Sequence, residues 1–144
     1  MTAVSVPDAP HRSDFRTCAS ELAIRDFRNL ERVDVTVPSD GMAIVGENGQ
    51  GKTSFLEAIA YVEQLRSVRG ARDRDLVRFD APAFHVSATV HGPQGVAHLG
   101  VGADRAGRKK VTRDGVEVPR LTDALGALLI IHRMQYTCAV NRSA

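Results

Sequence analysis

The run Gly46-Glu47-Asn48-Gly49-Gln50-Gly51-Lys52-Thr53 satisfies the spacing G-x-x-x-x-G-K-[ST]. Each position suits phosphate chemistry. A triphosphate carries several negative charges, and backbone N–H groups ring it only where no side chain intrudes. Gly46, Gly49 and Gly51 remove Cβ atoms and permit positive φ, so successive N–H groups can point inward. Lys52 supplies a cation for the β- and γ-phosphates. Thr53 supplies a hydroxyl suited to Mg²⁺, a hard ion that prefers oxygen. The eight residues are therefore candidate ligands of ATP, and Thr53 is the candidate Mg²⁺ ligand.

A loop of this kind needs a strand before it and a helix after it. "MAIV" (42–45) is a short apolar run, the mark of a strand buried on both faces. "KTSFLEAIAYVEQLR" has helical spacing, with Phe55, Leu56, Ile59, Val62 and Leu65 on one face. The helix start adds unpaired N–H groups and about half a positive charge. Upstream, "ELAIRDF" and "RVDVTV" alternate and predict a hairpin. Downstream, "RSVRGARDRDLVRFDAP" reads mostly as loop. "FHVSATVHG" and "GVAHLGVG" predict a second hairpin. Asp114-Gly115 marks a tight turn between short β-prone runs, and "LTDALGALL" predicts a short helix.

The chain has 144 residues, a length that suits one domain. A net charge of +2 gives no global signal for nucleic acid, so any such signal is local. Cys18 and Cys138 make no disulfide framework and read as reduced thiols. His11, His85, His91, His98 and His132 lack zinc-ligand spacing. No apolar run approaches the roughly 18 residues of a membrane span. The first twenty residues carry Asp8 and Asp14 and no apolar signal core, so a cytoplasmic protein is expected.

"IRDFRNL" before the loop, and "SFLEAI" and "RSVR" after it, extend the motif. With "GENGQGKT" they resemble the N-terminal part of the RecF family, bacterial DNA replication and repair ATPases grouped with the ABC-type heads of SMC proteins. The resemblance runs from about Glu21 to Leu129. It implies an α/β P-loop NTPase fold: an ABC-type head lobe, with a parallel core beside an antiparallel β subdomain, here incomplete. It implies ATP-dependent binding of DNA at gaps and single-strand/double-strand junctions. It also implies a head dimer, work with the RecO and RecR proteins, and a role in the SOS response. Arg28 and Asn29 match the family's "FRN" segment, which implies a place near the phosphates.

On this reading, residues 1–20 form a loose extension, 21–131 a partial head, and 132–144 a divergent, disordered tail. The signature and Walker B motifs of the family are not found, and a truncated or frame-disrupted product is expected. Gln135 reads as a polar tail residue rather than a Mg²⁺-sensing glutamine, and Glu57 as a solvated helix residue rather than a base. No catalytic residue is assigned. A nucleotide-binding adaptor without ATPase activity, or a gene remnant, is the alternative. Two basic segments are candidate phosphate or DNA contacts. One holds Arg66, Arg69, Arg72, Arg74 and Arg78, interleaved with acids. The denser one holds Arg105, Arg108, Lys109, Lys110 and Arg113.

Overall fold

The computed structural model describes residues 1–5, 18–38, 41–92 and 95–119. The predicted helix in "LTDALGALL", the tail, Gln135 and Cys138 lie outside the described residues. The elements run β1 (Thr2–Ser5), β2 (Cys18–Phe27), β3 (Leu30–Thr36), β4 (Met42–Val45), α1 (Lys52–Gln64), a 3₁₀ turn (Asp73–Leu76), β5 (Ala83–Gly92), β6 (Gly95–Asp104), β7 (Lys109–Arg113) and β8 (Val116–Glu117).

Six strands form one antiparallel sheet in the order β3-β2-β5-β6-β7-β8. Alternation sets its register. Val33, Ile24, Val86, Val101 and Val111 stand opposite one another across five strands. Four of them are buried, and Val33 packs partly buried against them. A one-residue slip would turn the whole row to the other face, which is why apolar alternation fixes the pairing. Helix α1 lays Phe55, Ala58, Ile59, Tyr61 and Val62 on this core. At the centre Phe27, Tyr61 and Phe84 meet edge to face, with ring centroids 5.2–6.0 Å apart. Large side chains buried this fully each contribute about 1.5–3 kcal/mol.

The three predicted hairpins are present: β2–β3, β5–β6 and β7–β8. Asp114 and Gly115 take φ of 52° and 80°, as a tight two-residue turn requires. Three expectations change. Strand β4 is half-buried rather than buried on both faces, and Val45 is 51% exposed. Its pairing among the described residues is with β1 alone, so nothing described covers its other edge. The first twenty residues are not wholly outside the fold: Thr2–Ser5 pair with β4, and Cys18 opens β2. Every pairing among the described residues is antiparallel, so the parallel core that the resemblance implied is not represented there.

Candidate nucleotide-binding site

The strand–loop–helix order predicted around Gly46–Thr53 is what the chain forms. Gly51 stands at the N-cap of α1 with φ 99°, and no side chain caps the helix. Most helices carry Ser, Thr, Asp or Asn there to bind the free N–H groups. Here the N–H groups of Lys52, Thr53 and Ser54 find no acceptor among the described residues; the first helical bond from beyond them is Phe55 N–H to Gly51 O, 2.8 Å. No acid lies in the first turn. The helix therefore presents uncancelled positive potential at its start.

That start opens on a cavity of about 360 Å³ lined by Arg28, Asn29, Asn48, Gly49, Gly51, Lys52, Thr53 and Ser54. Lys52 Nζ donates to Gly46 O at 2.5 Å and Glu47 O at 2.6 Å. These bonds tie the loop into a ring and use two of the ammonium's three donors, leaving one for a ligand. Thr53 is exposed at the rim. Exposed Glu47 and Asn48 lie in the loop, and Gln50 Oε1 accepts from the Met1 ammonium at 3.0 Å. The geometry fits an anion with several phosphate oxygens and a hard cation beside Thr53.

Arg28 and Asn29 form the turn between β2 and β3, and the fold brings that turn to the loop. Asn29 Nδ2 donates to Gly49 O (3.2 Å), and Ser54 Oγ donates to Asn29 Oδ1 (2.6 Å). Arg28 also lines the cavity, but its guanidinium is spent on Glu57. Its Nε and Nη2 donate to Glu57 Oε2 and Oε1 at 3.1 and 3.0 Å. Glu57 is not the solvated helix residue expected but is 2% exposed. Arg28 and Ser67 hold it, Ser67 Oγ donating to Oε1 at 2.8 Å. Burial alone would raise its carboxyl pKa. The hydrogen bonds from Arg28 and Ser67, with the charges of Arg28 and Arg69, outweigh burial and hold it below the usual range.

The basic hairpin is largely committed to its own fold. Arg105 donates to Ala81 O and Arg78 O at 2.8 and 2.9 Å. Lys109 is half-buried, 2.9 Å from Asp73, and donates to Leu65 O at 2.6 Å. Arg108 pairs with a partly buried Asp104 and Lys110 with an exposed Glu117, both cations themselves exposed. In the other segment Arg69 reaches Glu57, Arg74 pairs with Asp75, and Arg78 pairs with Asp26 and Glu31. Ser54, Ser67 and buried Tyr61 are the participants that sequence reasoning passed over. A trace existed: Ser54, Glu57 and Tyr61 stand three and four residues apart, one stripe along α1. That stripe meets Asn29, then Arg28 and Ser67, then Asp73.

With this geometry in hand, comparison with known proteins is decisive. A family model described as an AAA domain matches residues 21–94, just over half the chain. The chain belongs to this AAA-domain family. Within it, the chain is RecF-like. It is 36% identical over 110 residues to the DNA replication and repair protein RecF of Halalkalibacterium halodurans, covering 76% of this chain and 29% of the relative. It is 39% identical over 107 residues to RecF of Trichormus variabilis, covering 74% and 28%. The chain thus spans less than a third of the length of these relatives. A structure of the recombination mediator protein RecF with ATP, in the RecFOR pathway, superposes with a TM-score of 0.68 at 26% identity, over 78% of this chain and 31% of that one. A structure from work on ATP-driven dimerization of SMC ATPases gives 0.71 at 20% identity over 79% of each chain, a likeness of fold. The expected P-loop head with an antiparallel β lobe is therefore this protein's fold, in partial form. No helix among the described residues is long and apolar enough to cross a membrane.

Proposed function

We propose that this RecF-like chain binds ATP with Mg²⁺ and serves DNA replication and recombinational repair. The uncapped, acid-free start of α1, facing a cavity with Lys52 and Thr53 at its edge, carries the reading. The N–H groups of residues 52–54 take phosphate oxygens. Lys52 adds its remaining donor, and Thr53 Oγ1 ligates Mg²⁺, which would offset phosphate charge. Gly46, Glu47, Asn48, Gly49, Gln50 and Gly51 complete the cradle with backbone rather than side chains.

The proposal extends to the wider role that the family resemblance implies. That role comprises DNA binding at gaps and junctions, a part in the SOS response, joint action with the RecO and RecR proteins, and an ATP-dependent pairing of heads. By itself the chain holds the nucleotide rather than turning it over. Exposed Arg108 and Lys110, together with exposed Arg66 and Arg72, which have no side-chain partner among the described residues, are the cations offered to DNA phosphates. The surface ion pairs of Arg108 and Lys110 are worth only about 0–1 kcal/mol and open cheaply.

Calorimetric titration of ATP–Mg²⁺ into the folded chain tests the site. Lys52→Ala should weaken binding about ten- to hundredfold, by removing a charge-assisted contact of about 1.5–3 kcal/mol. Equal affinity of both proteins would count against it.

A further inference from the structure

Arg28 sits in an uncommon conformation. Its φ is 55°, a region that non-glycine residues seldom occupy and that costs free energy to hold. The ties that hold it there are visible. Its N–H donates to Leu76 O at 2.7 Å, and its guanidinium forks onto both oxygens of buried Glu57. Next in sequence, Asn29 makes the turn's side-chain contacts with the glycine loop: its amide donates to Gly49 O, and its carbonyl accepts from Ser54. Gly49 O belongs to the loop whose N–H groups form the cradle. Ser54 lies in the first turn of α1, one residue after Thr53. Glu57 is itself on α1, one turn further along the same stripe. The helix therefore grips the β2–β3 turn at two points, with the carboxylate at one and the hydroxyl at the other.

We propose that Glu57 and Arg28 are positioning residues of the nucleotide site. They act through Asn29, fixing the Gly49 peptide and the first turn of α1 in the arrangement that receives phosphate. The inference rests on the ATP-binding reading above and deepens it. Glu57 does not line the cavity, and its side chain is 1% exposed. Its place outside the cavity lining is the point, because its effect has to travel through Arg28 and the turn. A merely structural carboxylate would support α1 and the sheet without regard to Asn29. A positioning carboxylate shares its effect on ATP affinity with Asn29, because both feed one contact.

A double-mutant cycle on the full chain separates these cases. ATP–Mg²⁺ affinity and denaturation midpoint are measured for wild type, Glu57→Gln, Asn29→Ala and the double variant. Each single change is expected to weaken ATP binding about three- to tenfold. The double variant should bind no more weakly than Asn29→Ala alone, while the losses of stability add. Losses of affinity that multiply, or wild-type affinity in Glu57→Gln, overturn the proposal. Should Glu57→Gln not fold, Arg28→Lys replaces it in the cycle, since it keeps the charge and loses the fork. The same outcomes then decide. A wild-type chain that binds no ATP brings down the nucleotide reading and this inference together. A wild type that binds, with losses that multiply, brings down the inference alone.

Discussion

Gly51 and Gly49 share a positive φ, 99° and 85°, but not a neighbourhood. A Cβ on Gly51 would stand 2.5 Å from Leu30 Cδ2, whereas one on Gly49 would meet nothing within 4 Å. Left-handed backbone costs an L residue about 1–2 kcal/mol, and overpacking adds about 1–3 kcal/mol. Gly49→Ala should therefore cost only the first of these, and Gly51→Ala both. Urea denaturation midpoints read the difference directly. Glu57 adds a pH dependence with a definite sign. Its folded-state pKa lies below the ordinary 4.5. A depressed carboxyl contributes stability that is complete above its unfolded value and is lost as pH falls through the folded one. Wild type should lose stability through that acid window, and Glu57→Gln, with no proton to gain there, should follow a flatter curve. Thermal midpoints taken from about pH 7 down to about pH 3 make the comparison. Coincident curves would mean that the carboxylate contributes as little in the folded chain as in the unfolded one.

The β6–β7 turn and strand β7 carry cations with opposite duties, and the elements they touch tell them apart. Lys109 lies against the end of α1. Leu65 closes the helix at φ 54°, and Lys109 meets its carbonyl, the Asp73 carboxylate and, at 5.1 Å, the Tyr61 ring. A cation there complements the helix C-terminus. Lys109→Met should cost about 1–3 kcal/mol of stability, since it strips charged hydrogen bonds from a half-buried site. It should leave the salt dependence of DNA binding alone. Arg108→Ala with Lys110→Ala should do the reverse. Stability changes little, while the slope of log affinity against log salt falls by about 0.7–0.9 for each phosphate that is no longer neutralised. Filter binding at several salt concentrations and a denaturation series decide between them. Sequence alone groups these residues as one basic cluster, because it cannot see that Asp73 and Leu65 come to Lys109. Alternation and turn chemistry did reveal the hairpins, since both are local signals. The glycine spacing revealed the loop for the same reason. The positive φ of Arg28 and the burial of Glu57 were not legible, because contacts from residues 67 and 76 impose them. Tyr61 was missed because the helical face of Phe55, Ile59 and Val62 accounts for one side of α1 only. The 3₁₀ turn covers a second side, where the Tyr61 hydroxyl donates to Asp73 at 2.6 Å.

At the scale of the whole molecule, one core joins the sheet to α1, and the glycine loop stands at the edge of that core. Phosphoryl transfer asks for more than a cradle. It needs a positioned water and charge placed around the departing phosphate. Among the described residues, Lys52, Thr53 and the free N–H groups serve the phosphates from the side of the loop. Glu57 is the acid of α1 that follows the loop first in sequence, and it is already engaged. Arg28 occupies both of its oxygens, Ser67 donates to one, and burial closes it to solvent. Its lowered pKa makes it a weak base as well. Glu47 is exposed in the loop itself, with no described hydrogen bond to fix its carboxylate against a water. The expectation is binding without turnover: multiple-turnover phosphate release by the chain, with or without DNA, should match that of Lys52→Ala. Steady release that vanishes in the Lys52→Ala protein would sink this expectation. Glu57→Gln and Glu47→Gln would then be the next variants to assay. If Glu57→Gln alone abolished release, the buried carboxylate would have to leave Arg28 during the reaction, and the β2–β3 turn would be a moving part rather than a fixed support.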